Sequence, residues 1–263
     1  DAEDALKEAR RLDRELVKRG PRGPLHGVVI SQKDIFSRKG KVCSAGSEIR
    51  RNWVAPYSAT VMERLQAAGA ICLGRLNTAE FAGDATGHNK HFGACRNPWN
   101  PERTSGGSSG GAAAALASGL CTLASGSDGG GSIRIPASFC GVFGIKPSQG
   151  RVPRFGGYGR PAANQFSQSG PLSRTVADAA MFLQVLAGND PRDPTSLRQD
   201  PPDFSAGLTK GVNGLRIAWS ADLGYAGVDP EVARIAGEAA QVFQELGAVL
   251  EEPQLVIDDP FQA

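Results

Sequence analysis

The fold of this chain is decided by residues 104–147, TSGGSSGGAAAALASGLCTLASGSDGGGSIRIPASFCGVFGIKP. Two glycine clusters, Gly106–Gly111 and Gly129–Gly131, each carry a serine, and a run of small residues joins them. Glycine tolerates positive φ and lets backbone approach a ligand closely, so such loops can direct several N–H groups toward one negative charge. Two clusters of this density predict a functional site rather than two tight turns around a buried helix.

Three motifs in this stretch carry a resemblance to a known family. They are G-G-S-S-G-G at 106–111, D-G-G-G-S-I-R-I-P at 128–136 and G-I-K-P at 144–147. Together they resemble the signature of the amidase signature family, serine hydrolases with a Ser–Ser–Lys triad. The serines Ser108 and Ser132 are 24 positions apart, which is the spacing of that family. Since family members are nearly twice as long, the resemblance implies that residues 1–263 form part of one amidase domain. A short N-terminal stretch and a large C-terminal part would be absent.

Outside the glycine clusters, hydrophobic periodicity predicts alternating helices and strands. Helices are predicted over residues 2–19, 58–68 (capped by Ser58), 111–119, 175–187 and 229–247. Strands are predicted over residues 25–30, 70–73, 121–124, 215–219 and 249–257, with residues 148–169 irregular. This alternation indicates an α/β fold. The resemblance further implies a mixed β-sheet core covered by helices on both faces.

Composition narrows the class of protein. The 263 residues carry a net charge of only +2, so nothing points to nucleic acid or to an anionic membrane as a partner. The five cysteines are far apart in sequence, which predicts free thiols in a reducing compartment such as the cytoplasm. No signal peptide is visible. The longest weakly polar run, Ala112–Ala124, is too short and too rich in Ala, Ser and Gly to span a bilayer.

Histidine, metal and nucleotide chemistry fit this sequence poorly. His88, His91 and Cys95 lack a fourth nearby ligand and match no standard zinc spacing, so no metal is expected. The G-x-S-x-G pattern at 106–110 formally fits the nucleophile elbow of α/β-hydrolases, which places a histidine downstream. No histidine follows residue 91, so that interpretation fails for this chain. Neither a P-loop nor a G-x-G-x-x-G motif occurs, which argues against a nucleotide-binding module, and no cofactor is expected.

Lysine is the alternative base. Lys33 is directly attached to the run of buried-strand character at 25–30. Alone it would suggest a solvated turn residue, but beside the glycine clusters it suggests catalysis. A free lysine is charged at neutral pH, and burial without a counter-charge lowers its pKa, so that a neutral Lys33 could accept a proton.

The resemblance assigns roles to the triad. It implies that Ser132 is the nucleophile that forms the acyl-enzyme, Ser108 the bridging serine and Lys33 the base. It also implies that the Gly107–Ser108 peptide is cis.

Further site residues follow from the same resemblance. The N–H groups of Gly129, Gly130, Gly131 and Ser132 would form the oxyanion hole. Asp128 and Arg134 would brace this loop as an ion pair, and Ala82 is a weaker candidate for the floor of the substrate pocket. Three positions depart from the family pattern: Gln32, Ser127 and Gly129.

Two functions are compatible with these residues. The first is an amidase that cleaves a carboxamide or acyl-amide of a small molecule through a seryl-acyl intermediate. The second is the glutaminase (A) subunit of a tRNA-dependent amidotransferase, which delivers ammonia to partner subunits. The segment at 167–171, S-Q-S-G-P, departs from the pattern expected of the glutaminase, which favours the first function. The sequence is also compatible with a homo-oligomer.

Overall fold

The computed structural model describes residues 1–157, 165–255 and 257 of the chain. The α-helices are α1 (Ala2–Arg19), α2 (Thr60–Ala67), α3 (Gly110–Ala117), α4 (Arg134–Cys140), α5 (Val176–Leu186) and α6 (Pro230–Glu245). The strands are β1 (Val29–Lys33), β2 (Ile71–Leu76), β3 (Leu123–Asp128), β4 (Phe143–Gly144), β5 (Gln168–Ser173), β6 (Arg216–Ala218) and β7 (Val249–Glu251). Helices and strands alternate along these residues, apart from the consecutive strands β4 and β5.

Five of the strands form one mixed sheet in the order β2-β1-β3-β5-β4. Strand β1 lies between β2 and β3 and is parallel to both. Strand β5 runs antiparallel to β3 and to β4. The β3–β5 ladder extends from the Leu123–Ser173 pair to the Asp128–Gln168 pair. The prediction of an α/β fold with a mixed sheet is therefore confirmed.

Helices cover both faces of this sheet. The consecutive residues Leu123 and Ala124 of β3 belong to different hydrophobic clusters. Because side chains alternate across a strand, these clusters lie on opposite faces. Helices α2 and α5 contribute residues such as Leu65 and Phe182 to the first cluster, whereas α3 contributes residues such as Leu116 to the second.

Strand β1 begins and ends later than the apolar run predicts. The Leu25 N–H donates to the Ala68 carbonyl at 3.2 Å, and the Gly27 N–H donates to the Gly69 carbonyl at 2.9 Å. These bonds attach residues 25–27 to the end of α2, so Leu25 is fully buried without joining a ladder. As a consequence, Lys33 is the last residue of the strand itself rather than a residue beyond it.

The predicted helix caps meet different outcomes. The Thr175 side chain accepts a hydrogen bond from the Asp178 N–H, and the Asp229 side chain caps α6 through the Glu231 N–H, as the sequence predicts. The prediction for Ser58 is wrong, because α2 has Ala59 at its N-cap. The Ser58 hydroxyl instead accepts a hydrogen bond from the Lys39 N–H at 3.0 Å.

Three elements have no counterpart among the predicted ones: α4, the two-residue strand β4 and strand β5. Helix α4 follows the second glycine cluster directly and carries Pro136 in its first turn, where a missing N–H has no cost. Strand β5 contains Gly170 and Pro171, residues that normally argue against a strand. Its first two residues fall within the segment predicted to be irregular. Residues 158–164 of that segment, and Val256 of the last predicted strand, lie outside the described residues.

The chain divides into two compact units, Asp1–Ser205 and Ala206–Ala263. The first contains the mixed sheet, and the second contains α6 with the parallel pair β6–β7. A single amidase domain over residues 1–263 stays a prediction. All five cysteines are free. Among the described residues, no helix has both the length and the hydropathy needed to cross a membrane.

Candidate active site

The carboxyl ends of β1 and β3 bring the predicted site residues together. The two strands are parallel neighbours, and such strands present their carboxyl ends at the same edge of a sheet. Lys33 is the last residue of β1, and Ser127 and Asp128 are the last two residues of β3. The second glycine cluster begins directly after β3, so the sheet places Lys33 beside it. The first glycine cluster reaches Lys33 through Ser108.

Lys33 is fully buried. Its Nζ lies 2.6 Å from Ser108 Oγ and 2.9 Å from Ser127 Oγ. Burial lowers the pKa of Lys33 from 10.5 to about 7, and the negative charge of Asp128 opposes part of this shift. At neutral pH the amine is therefore available in its neutral form, which can accept a proton. This is the electrostatic state that the sequence analysis requires of a lysine base.

The first glycine cluster holds Ser108 against Lys33. The Gly107–Ser108 peptide is cis, as the resemblance implies. Ser108 is fully buried, and its carbonyl accepts a hydrogen bond from Thr78 Oγ1 at 2.9 Å. The N–H of the next residue, Ser109, donates to the Ser132 carbonyl at 3.1 Å. That bond joins the first glycine cluster to the residue predicted to be the nucleophile.

Close backbone approach explains why glycine occupies two positions in the first cluster. A Cβ added to Gly107 would lie 2.6 Å from the Gly87 nitrogen and 2.7 Å from the Asp84 carbonyl oxygen. A Cβ added to Gly111 would lie 2.5 Å from the Asn77 carbonyl oxygen. Contacts under 3.0 Å with backbone atoms cannot be relieved by side-chain rotation. The loops on either side of Ser108 therefore pack at distances that only glycine permits.

Asp128 organises the loop after β3. Its side chain is fully buried and accepts hydrogen bonds from the N–H groups of Gly131 (2.7 Å), Ile133 (3.2 Å) and Arg134 (3.3 Å). Arg134 also donates from Nε at 2.9 Å and from its terminal nitrogen at 3.0 Å, which forms the predicted ion pair. Burial opposes ionisation, but the bonds from Arg134, Gly131 and Ile133 hold the pKa of Asp128 below its usual value.

We expect Asp128→Ala to lower the free energy of unfolding by about 3 kcal/mol, because three loop N–H groups and the Arg134 guanidinium lose one shared acceptor. Urea denaturation should show a lower midpoint at an unchanged slope. The matched control is Asp13→Ala, which removes an exposed carboxylate from α1 and should change stability by less than about 0.5 kcal/mol. Equal effects of the two substitutions would contradict the role of Asp128.

Ser132 lies in the turn between β3 and α4 and is partly exposed. Its carbonyl is fixed by Ser109, and Gly129 and Gly130 before it are exposed. Of the predicted oxyanion-hole donors, the N–H of Gly131 is directed to Asp128 Oδ1 rather than outward. The other predicted donors are Gly129, Gly130 and Ser132, and the oxyanion hole stays a prediction.

The remaining sequence candidates lie elsewhere. Ala82 has a left-handed backbone (φ 58°) in the short turn at 80–82 and packs against the hydrophobic cluster of α2 and α5. Its place in the substrate pocket stays a prediction. His88 Nδ1 lies 2.9 Å from Thr86 Oγ1, and His91 Nε2 lies 3.2 Å from Glu80 Oε2. These two histidines therefore interact with neighbours of their own loop rather than with the lysine.

Ser127 and Ser109 are site residues that the sequence does not predict. In sequence Ser127 is only a departure from the family pattern, whereas in the structure its hydroxyl contacts Lys33. The Ser109 hydroxyl donates to the Ser127 carbonyl at 3.3 Å and accepts from the Ser127 N–H at 3.4 Å. The sequence offers no signal for this contact, because the predicted strand ends at residue 124 and the contact joins residues 94 positions apart.

Comparison with known proteins gives a consistent result. The family profile described as Amidase matches residues 1–257. The A subunit of the glutamyl-tRNA(Gln) amidotransferase of Methylococcus capsulatus is 45% identical over 253 residues, which cover 96% of this chain and 52% of that protein. The protein of the same name from Moorella thermoacetica is 47% identical over 255 residues, covering 97% and 52%. The chain thus spans about half the length of the curated relatives it matches.

Solved structures share the fold. A bacterial aryl acylamidase of the amidase signature family superposes with a TM-score of 0.90 at 38% identity, over 98% of this chain and 53% of that one. The native peptide amidase from Stenotrophomonas maltophilia superposes with a TM-score of 0.84 at 35% identity, over 95% and 52%. Since the family profile covers nearly all of the sequence, this chain belongs to the amidase signature family.

Proposed function

We propose that the full-length protein containing this chain hydrolyses linear amides through a seryl-acyl intermediate, with Ser132, Ser108 and Lys33 as its triad. One observation carries the proposal. Lys33 is fully buried, has a pKa of about 7 and lies 2.6 Å from Ser108 Oγ. A buried amine with this pKa is a base that functions at neutral pH without histidine.

The proposed reaction begins when the Ser132 hydroxyl attacks the amide carbonyl carbon. Its proton passes to Ser108 while the proton of Ser108 passes to the neutral Lys33 amine. The same relay then returns a proton to the leaving nitrogen as the C–N bond breaks, which leaves an acyl ester on Ser132. Water attacks this ester along the reverse path and releases the carboxylic acid.

The carbonyl oxygen becomes negatively charged in the tetrahedral intermediate. We propose that the N–H groups of Gly129 and Gly130 stabilise this charge. Those of Gly131 and Ser132 would complete the oxyanion hole that the family resemblance implies. The Gly131 N–H is bonded to Asp128 in the described geometry, so its contribution requires that this bond be shared. Preorganised donors of this type typically contribute on the order of 10²-fold to 10³-fold each.

Two substrate classes are supported by different observations. The superposition on an aryl acylamidase and a peptide amidase supports an acyl-amide or carboxamide of a small molecule. The sequence identity to amidotransferase A subunits supports glutamine, with ammonia as the product. We favour the first class because the 167–171 segment, now seen to enter β5 beside the second glycine cluster, departs from the A-subunit pattern.

The experiment that tests the proposal compares substrates on the purified full-length protein. Release of amine or ammonia is measured with aryl amides, aliphatic carboxamides, a C-terminal peptide amide and free glutamine. We expect turnover of at least one of the first three without any added partner protein. Turnover of glutamine alone, stimulated by amidotransferase partner subunits, would favour the second class. Absence of hydrolysis with every substrate would contradict the proposed function.

We further propose a cytoplasmic location, which the five free cysteines support.

A further inference from the structure

Lys33 has a second hydroxyl partner that the proposed triad does not use. Ser127 Oγ lies 2.9 Å from Lys33 Nζ on β3, whereas Ser108 approaches the same nitrogen from the loop before α3. Lys33 and Ser108 have no exposed surface, and Ser127 is 7% exposed. We propose that Ser127 is a positioning residue that holds one Lys33 N–H, so that the nitrogen lone pair faces Ser108. This inference rests on the proposed function of Lys33 as a base.

The hydrogen-bonding capacities of the groups lead to this role. A neutral amine has two N–H donors and one lone pair, and a serine hydroxyl can donate one hydrogen bond and accept two. To act as the base, Lys33 must receive the Ser108 proton on its lone pair, so its remaining bonds can only donate. A Ser127 oxygen at 2.9 Å is the acceptor for one of them. Without it, rotation about the Cε–Nζ bond would leave the lone pair without a fixed direction.

Ser127 also faces the charge that forms during the reaction. When Lys33 takes up a proton, the new ammonium lies in a fully buried position. The negative charge of Asp128 acts on Lys33, but the hydrogen bonds of that carboxylate go to Arg134 and to loop N–H groups rather than to the amine. The Ser127 oxygen therefore accepts from the amine before proton transfer and from the ammonium after it.

The main chain of Ser127 is held in place by two independent sets of contacts. Ser109 Oγ bonds to both its carbonyl and its N–H. In the sheet, Ser127 pairs with Ser169 of β5. Because Ser109 also directly follows Ser108, the two hydroxyls around Lys33 are fixed relative to each other. Such rigid support is what a residue that sets the direction of a neighbouring lone pair requires.

The test uses Ser127→Ala in the full-length protein, with Ser125→Ala as the matched control. Ser125 lies two residues earlier in β3, is also buried, and its hydroxyl has no hydrogen-bond partner among the described residues. We expect Ser127→Ala to lower kcat about tenfold to a hundredfold with KM changed less than about twofold, because a hydrogen bond to a charged group is lost. We expect Ser125→Ala to leave both constants near the wild-type values.

The pH dependence separates positioning from a merely structural role. An acceptor stabilises the ammonium more than the amine, so its removal should shift the acidic limb of kcat/KM to lower pH. If alanine disturbs folding, threonine and valine repeat the comparison with two side chains of nearly equal size. Ser127→Thr keeps the hydroxyl and should retain most activity, whereas Ser127→Val should behave like Ser127→Ala. An unchanged kcat and pH profile in Ser127→Ala, or equal activities of the threonine and valine variants, would overturn the proposal.

A readout that needs no turnover keeps this inference distinct from the proposed function. In protein labelled with ¹⁵N at lysine Nζ, an NMR titration follows Lys33 directly. We expect the Lys33 titration midpoint to fall in Ser127→Ala and to stay unchanged in Ser125→Ala. A midpoint that is the same in all three proteins would overturn the role of Ser127, whether or not the enzyme hydrolyses amides. If no substrate is hydrolysed but the Lys33 midpoint falls in Ser127→Ala, the proposed amidase function is contradicted while the role of Ser127 as an acceptor for Lys33 stands.

Discussion

Replacement of Ser132 by alanine is expected to lower kcat of the full-length protein by a factor on the order of 10⁶, the scale of nucleophile removal in serine hydrolases. The hydroxyl that forms the acyl bond is then missing, and neither Ser108 nor Ser109 can replace it. Both of those serines are fully buried, whereas Ser132 is partly exposed in the loop that follows β3. Residual turnover is measured with the best substrate of the panel.

A fluorophosphonate probe provides the independent measurement. Mass spectrometry of the labelled protein should place the adduct on Ser132, since the N–H groups of Gly129 and Gly130 precede it. Ser138→Ala is the control, because Ser138 is an exposed serine on α4 and its removal should leave labelling and kcat unchanged. An adduct mapped to Ser108 or Ser109, or wild-type turnover in Ser132→Ala, would show that the nucleophile has been assigned to the wrong residue.

The second large effect concerns the charge of Lys33. Its pKa in the folded protein is about 7, so the fraction of neutral amine rises as the pH increases through 7 and reaches about nine-tenths at pH 8. We expect kcat/KM to rise with pH along this single ionisation and then to level off. We expect Lys33→Arg to lower kcat on the order of 10²-fold to 10⁴-fold, because a guanidinium stays protonated throughout this range.

The control substitution is Lys39→Arg, which changes an exposed lysine in the loop that follows β1 and should preserve both kcat and the pH profile. If Lys33 only held the glycine loops together by its positive charge, arginine would retain much of the activity and the profile would be flat through pH 7. Substantial turnover by Lys33→Arg would therefore refute the assignment of the base while leaving Ser132 as the nucleophile.

Stability should show the same ionisation. In the unfolded chain Lys33 keeps the ordinary lysine pKa near 10.5, whereas in the folded chain it titrates at about 7. Between these values the unfolded state binds more protons, so the free energy of unfolding rises with pH over this window. Below about pH 7 both states carry the proton, and the cost of burying the ammonium is fully present. Lys33→Met lacks the group and should lose this part of the pH dependence, which urea denaturation at pH 7, 8 and 9 can measure.

Much of the site was predictable because its chemistry is local in sequence. The glycine clusters, the two serines and the acidic residue at 128 form one contiguous stretch, and the lysine follows an apolar run. The helices with regular periodicity, such as α1 and α6, and the caps at Thr175 and Asp229 also agree with their predictions.

The predictions that failed concern residues whose tertiary contacts outweigh their local tendency. Leu25 is buried against the end of α2 rather than in a strand, and Ser58 bonds to another loop rather than to its own helix. Pro171 occupies a strand because its neighbours in β3 and β4 supply the ladder. The contact of Ser127 with Lys33 was equally inaccessible, since it joins residues 94 positions apart. No local sequence pattern predicts a contact between residues so far apart along the chain.

That separation has a consequence for the newly synthesised chain. Lys33 leaves the ribosome long before β3 does, and closing a loop of this length is entropically costly and slow. Until β3 pairs with β1, the lysine amine is in contact with water and keeps an ordinary positive charge. The proposed base is thus not a property of the lysine alone but arises when the sheet is completed. In an unfinished polypeptide Ser132 has no neutral lysine to activate it. The proposed nucleophile therefore becomes reactive only when the native structure forms.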